Sequence, residues 1–138
     1  MLFRSVDWKP GAHASTFGGN PVCMAAALAT LDLVQNELMA NGNAMGRRIM
    51  ERIASWPERF ASVGAVRGRG LMVAIELVQD KASKTPAPAV RERLVQDAFQ
   101  RGLLLLGCGE SSIRLMPPLT VGADDIDVGL GILEGLLT

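Results

Sequence analysis

The sequence predicts an α+β fold, a small antiparallel-type sheet with helices packed on one face, preceded by a long apolar connecting helix. Three observations carry this expectation. Hydrophobic periodicity changes along the chain in the order helix, helix, strand, strand, helix, strand, strand, helix. The 138 residues are 49% hydrophobic and 20% charged, which supplies a core and excludes intrinsic disorder. The first 42 residues fit such a compact unit poorly. The chain is therefore divided into a lead-in loop and connecting or interface helix, 1–42, and a small domain, 43–138.

Residues 1–19 read as an irregular lead-in ending in Ser15-Thr16-Phe17-Gly18-Gly19. Asn20 can cap a helix, and Pro21 suits its first position, where a missing N–H costs nothing. That helix is expected to run to Met39 or Ala40 and stop at Asn41-Gly42, a good left-handed terminator. Its sequence CMAAALATLDLV is apolar nearly all round, the pattern of a helix covered on several sides. A second helix, from Asn43 to about Ser55, repeats Met45, Ile49 and Ile53 every four residues and is ended by Pro57. Strands follow at Phe60–Arg67 and Leu71–Val78, with Gly68-Arg69-Gly70 between them. The second alternates Leu71, Val73, Ile75 and Leu77 against Met72, Ala74 and Glu76, and only Glu76 is polar, so both faces could be covered.

Residues 80–88, DKASKTPAP, form the one expected exposed loop. A helix over Pro88–Arg101 carries Val90, Leu94, Val95, Ala98 and Phe99 on one stripe and stops at Gly102. Leu103–Leu106 reads as a buried strand, and Ile113–Met116 as a short one ended by Pro117-Pro118. The last helix, Ala123–Leu137, places Ile126, Leu130, Leu133 and Leu137 on one face. Its Gly129, Gly131 and Gly135 each cost about 1 kcal/mol against alanine, so packing must hold it.

Fourteen basic and fourteen acidic residues leave a net charge of zero, which argues against a nucleic-acid partner. No apolar run approaches a membrane span of about 18–20 residues, and the N-terminus lacks a signal peptide's apolar stretch. A cytoplasmic protein is the expectation. Cys23 and Cys108 make neither a disulfide scaffold nor a zinc spacing, and His13 is the sole histidine, so no metal site is expected.

Few residues invite chemistry. His13 reads as structural and Cys23 as a small packed hydrophobe. Cys108, between Gly107 and Gly109, is either reactive or part of a tight turn. Gly68-Arg69-Gly70 fits no nucleotide-binding spacing and is better read as a hairpin turn. Ser15 and Thr16, just before a helix N-terminus, could hold a phosphate, with an ordinary cap as the equal alternative. Arg114 lies between Ile113 and Leu115 on an apolar strand, where a guanidinium needs an anion. That anion is either a ligand carboxylate or an internal acid such as Glu76 or Glu110.

Three stretches in register resemble one family. Trp8-Lys9-Pro10-Gly11-Ala12-His13-Ala14-Ser15-Thr16-Phe17-Gly18-Gly19-Asn20-Pro21 is similar to the segment after the cofactor lysine of class III pyridoxal-phosphate aminotransferases. Val66-Arg67-Gly68-Arg69-Gly70-Leu71-Met72 with Glu76 resembles their small-domain hairpin. Ser112-Ile113-Arg114-Leu115-Met116-Pro117-Pro118-Leu119-Thr120, followed by Asp124-Asp125-Ile126, resembles their C-terminal strand and helix. The resemblance implies the C-terminal small domain of a fold-type-I aminotransferase, with pyridoxal 5'-phosphate as cofactor and amino acids and 2-oxo acids as substrates.

It implies too that Thr16, with Ser15 beside it, reaches the phosphate of a partner subunit's cofactor in a homodimer or larger homo-oligomer. Arg114 would clamp a substrate carboxylate, and the first helix would lie at the dimer interface. LLLLGCG (103–109) resembles the 4-aminobutyrate branch more than the acetylornithine branch. The Schiff-base lysine of the family stands about thirty residues before the position of Thr16, and Lys9, Lys81 and Lys84 do not occupy that place. A large N-terminal domain is implied to be missing, and the chain alone is expected to be inactive. The alternatives are a racemase, aminomutase or decarboxylase on the same scaffold, or a free-standing ligand-binding module.

Overall fold

The computed structural model describes residues 11–12 and 15–138, so Lys9 and His13 of the lead-in motif lie outside the described residues. The chain forms two compact units, residues 1–35 and 36–138.

In the first unit, a turn closed by the Gly18 N–H donating to the Ser15 carbonyl (3.1 Å) precedes helix α1, Pro21–Leu33. Asn20 caps it: its Oδ1 accepts from the N–H groups of Val22 (2.9 Å) and Cys23 (3.3 Å). Pro21 takes the first position, as its fixed φ favours. No residue of α1 is buried, and Val22, Met24, Leu28 and Leu31 are all more than half exposed. Cys23 is exposed as well, so the expectation that it packs as a small hydrophobe does not hold within this unit.

A π-helical segment, Val34–Leu38, precedes α2, Met39–Ile53. The expected stop at Asn41-Gly42 is absent. Gly42 is buried in α2, where an added Cβ would meet Leu119 at 3.1 Å, and the Asn41 amide donates to the carbonyls of Leu119 (2.7 Å) and Val121 (3.1 Å). Tertiary contacts override the local terminator, because both residues are used to bring α2 against the loop after the last strand. By length and composition alone, the helical residues Pro21–Arg59 include a stretch long and apolar enough to cross a membrane. Asp32, Gln35 and Asn36 place polar groups along it, however, and hydrocarbon offers them no partner.

The second unit is the expected α+β layer. Strands β1 (Val63–Arg69), β2 (Met72–Asp80), β3 (Thr85–Pro86), β4 (Leu106–Cys108) and β5 (Ser112–Leu115) form a sheet of order β1-β2-β5-β4, with β3 pairing the far end of β2. All pairings are antiparallel. The β1–β2 hairpin turns at Gly70-Leu71, with Gly70 at φ 55°, a backbone state glycine reaches without strain. The alternation read from β2 is seen: Leu71, Val73, Ile75 and Leu77 are buried, with Ile113 of β5 beside them. Helices α2, α4 (Pro88–Gln100) and α5 (Ala123–Leu137) build the core on that face with Ile49, Ile53, Leu94, Ala98, Ile126, Leu130 and Leu133. Among the described residues the opposite face is less covered, with Met72 59% exposed.

Three further differences have local causes. Pro57 does not terminate structure but sits in the first turn of a short helix α3, Trp56–Arg59, where proline is tolerated. This seats Trp56, fully buried, edge-on to Phe60 at 5.8 Å. Phe99 is 67% exposed, since it follows Ala98 by one position and turns roughly 100° away from the buried stripe. Leu103–Leu106 is not a buried strand: only Leu105 is buried, Leu104 is 77% exposed, and pairing starts at Leu106, on the sheet edge.

Candidate functional site

Strand register decides which side chains share the less covered face. Arg114 of β5 stands opposite Ala74 of β2 and Leu106 of β4, and Ala74 stands opposite Arg67 of β1. The next row along contains Ala65, Glu76, Ser112 and Cys108. This face thus carries the Arg114 guanidinium beside the small Ala74, with Arg67 and Arg69 on the β1 side and the exposed apolar Met72 and Leu106 flanking it. Arg114 also lines a cleft of about 320 Å³ together with Leu104, Leu106, Met116, Pro117 and Asp125.

Arg114 has no ion-pair partner among the described residues, and its Nε is buried without a hydrogen bond. The internal acids that could have explained it are placed otherwise. Glu76 is held by Arg67, Nη1 to Oε2 at 2.6 Å, and Glu110 makes no ion pair among the described residues. A buried donor left without an acceptor is unfavourable, so the arrangement favours an incoming anion with two oxygens.

The strand that presents Arg114 is held at its N-terminal end, and so is the turn that leads into it. The Ser111 carbonyl accepts from the Leu77 N–H at 2.8 Å, and Ser111 is itself buried. Arg91 of α4 donates to the Gly109 carbonyl at 2.8 Å and lies against Gly107, with its Cδ 3.2 Å from where a glycine Cβ would stand. Arg91 was not evident from the sequence, where it is one charge on an exposed helical face. Cys108, between those glycines, is half-buried in β4.

Behind the sheet, α2 and α3 are tied to α5 by surface pairs. Arg48 grips Asp127, and Glu134 accepts from Arg52 (3.1 Å) and Arg59 (2.6 Å). The hydrogen bond from Arg48 holds the Asp127 carboxyl below the usual carboxylate range, and those from Arg52 and Arg59 do the same for Glu134. Asp80 is lowered by the Ser83 backbone N–H.

In the other unit, Ser15 and Thr16 are exposed in the turn before α1. Because Asn20 occupies two of the first N–H groups of that helix, the hydroxyls and turn backbone, more than the helix terminus, are what an anion would meet there. Of the lysines, Lys81 donates to the Pro57 carbonyl and Lys84 sits in the same exposed loop. Neither shares the Arg114 face.

The family model for class-III aminotransferases matches residues 5–137. The chain belongs to that family. It is 40% identical over 131 residues to an acetylornithine aminotransferase of Gloeobacter violaceus, covering 94% of this chain and 30% of that protein. It is 39% identical over 125 residues to a 4-aminobutyrate aminotransferase of Mycobacterium leprae, covering 88% and 28%. An amine transaminase from an uncultivated Pseudomonas species, solved with pyridoxal phosphate bound, superposes with a TM-score of 0.82 at 39% identity, over 91% of this chain and 29% of that one. The chain therefore spans under a third of the length of these relatives. The near-equal identities do not separate the 4-aminobutyrate branch from the acetylornithine branch.

Proposed function

We propose that this chain is the C-terminal, ligand-orienting part of a pyridoxal-phosphate-dependent aminotransferase. The whole enzyme would transfer an amino group from an amino acid, with 4-aminobutyrate a candidate, to a 2-oxo acid such as 2-oxoglutarate. The observation that carries this reading is Arg114, cationic and without an ion-pair partner among the described residues, with a buried orphan Nε, beside Ala74 and Leu106. A dicarboxylate with an aliphatic spacer matches that surface, its carboxylate on the guanidinium and its methylenes against Leu106 and Met72.

The residues present fit the cofactor's periphery. Ser15 and Thr16 are exposed hydroxyls on a turn and would donate to its phosphate across a homodimer interface, one subunit serving the other. The bound cofactor would supply the sink for the electrons released when a proton leaves the substrate carbon. Arg114 would fix the acid end of the substrate and so decide which carbon lies over the ring. The lysine that moves the proton is assigned to a preceding large domain, because among the described residues neither Lys81 nor Lys84 lies on this face and the chain covers only 30% of its aminotransferase relative; the 138-residue chain alone is read as inactive. The exposed apolar α1 is assigned to the interface with that domain and the second subunit, in a cytoplasmic assembly. A free-standing module is disfavoured because it would leave Val22, Leu28 and Leu31 in water.

The test is a pair of substitutions in the assembled enzyme. Arg114→Ala should raise KM for 2-oxoglutarate by about 30-fold or more, since removing one partner of a desolvated pair costs about 2–5 kcal/mol, with cofactor affinity unchanged. Thr16→Ala should weaken cofactor retention and leave KM for the acceptor alone. Normal 2-oxoglutarate saturation in the first, or normal cofactor affinity in the second, would overturn the corresponding assignment.

A further inference from the structure

Glu76 stands between two guanidiniums. On β2 it is two residues beyond Ala74, and Ala74 faces Arg67 on one side and Arg114 on the other. Glu76 is thus the diagonal neighbour of both arginines by the same offset, a spacing of about 7–8 Å that long side chains bridge. Ala74, between the arginines, is too small to screen either one. The carboxylate nevertheless lies wholly with Arg67, at 2.6 Å, and Arg114 is left without a partner.

We propose that Arg67 is a positioning residue: by holding Glu76 on the β1 side, it keeps the only acid at that offset away from Arg114 and reserves Arg114 for a ligand carboxylate. The inference rests on reading Arg114 as the carboxylate clamp. Stability gives no competing explanation for the pair. Its side chains are 59% and 36% exposed, and exposed ion pairs add little to folding. Its effect is on who may bind. A Glu76 released from Arg67 has one other guanidinium within diagonal reach, and an arginine already neutralised from within its own sheet presents no charge to a substrate. If the released Glu76 occupies Arg114 in nine molecules of ten, the apparent affinity for a carboxylate falls about tenfold, because only the vacant fraction is competent.

The experiment follows the Nε–Hε resonance of Arg114 in the 138-residue chain labelled with ¹⁵N-arginine, first without ligand and then through a titration with glutarate. Without ligand, Arg67→Ala should move the Arg114 resonance, and adding Glu76→Gln to it should return the resonance to its wild-type position. With glutarate, Arg67→Ala should bind about tenfold more weakly than wild type, and the double variant should recover wild-type affinity. Because Arg67 is exposed, the substitution removes no core contact. The double variant also separates release of Glu76 from any general effect of losing Arg67. An unmoved Arg114 resonance in Arg67→Ala, or failure of Glu76→Gln to restore it, overturns the proposal while leaving the clamp assignment intact. If the ligand-free shifts appear as expected but glutarate does not perturb Arg114 in the wild-type chain, the clamp reading fails, and with it the role given to Arg67 in ligand binding.

Discussion

Replacing Gly46 by alanine should destabilise the fold, although helix propensity alone argues the opposite. Gly46 is buried in α2 against the hairpin turn. A Cβ there would stand 2.3 Å from the Gly70 carbonyl oxygen, 2.4 Å from its carbon and 2.7 Å from its Cα. All three are backbone atoms of a residue already at φ 55°, so none can swing aside as a side chain would. Relief requires α2 and the turn to separate by about 1 Å, overpacking of a kind that costs about 1–3 kcal/mol. Three sub-contact distances to rigid atoms place it near the upper end. Glycine to alanine within a helix returns about 1 kcal/mol, leaving a net loss of about 2 kcal/mol. Gly131 of α5 is the control, because it is exposed and an added Cβ meets nothing within 4 Å. Gly131→Ala should therefore stabilise by up to about 1 kcal/mol. Equilibrium urea unfolding of the two variants reads both numbers. A Gly46→Ala midpoint at or above wild type would refute the close packing of α2 on the turn that carries Arg67 towards Glu76.

Two other expectations concern the surface. Asp127 and Glu134 have carboxyls lowered by their arginines. Such groups contribute stability that is fully present above their unfolded pKa near 4 and is lost as pH falls through the lower folded value. The urea midpoint should accordingly decline below about pH 4, and the double variant Asp127→Asn/Glu134→Gln should show a shallower decline; identical acid profiles would contradict it. The exposed apolar side chains of α1 should drive association, so Val22→Lys with Leu28→Lys should lower the sedimenting mass of the chain without reducing its helicity. A wild-type chain that sediments as a monomer at all concentrations would count against α1 as a contact surface.

Much of the fold was legible because its signals were periodic. The β2 alternation, the Met45-Ile49-Ile53 repeat and the Ile126-Leu130-Leu133 stripe each report one buried face, and each is found there. Signals that depend on a single residue fared worse. Asn41-Gly42 reads as a helix stop unless one knows that Leu119 and the carbonyls beyond Pro118 wait beside it. Pro57 reads as a terminator, though a first-turn proline is equally stable. Thr85–Pro86 adds a strand of two residues, too short to have any period. At the site, the sequence supplied Arg114 and its need for an anion but left Glu76 as a rival partner. Only the register, which sets Glu76 diagonal to two arginines at once, and the choice of Arg67, removed that rival.

Asn41 carries a consequence for how the protein ages. Its single amide nitrogen satisfies two carbonyls of the segment beyond the Arg114 strand, so converting that amide to a carboxylate would set an anion against two oxygens and push the segment away. Asparagine followed by glycine is the dipeptide most given to this conversion, which requires the glycine nitrogen to fold back onto the side chain. Inside α2 that nitrogen is committed to the helix and Gly42 is sealed under Leu119. The fold therefore protects its most fragile bond with the same packing that the bond helps to secure, and mass spectrometry of stored chain should find Asn41 unchanged for as long as α2 stays wound.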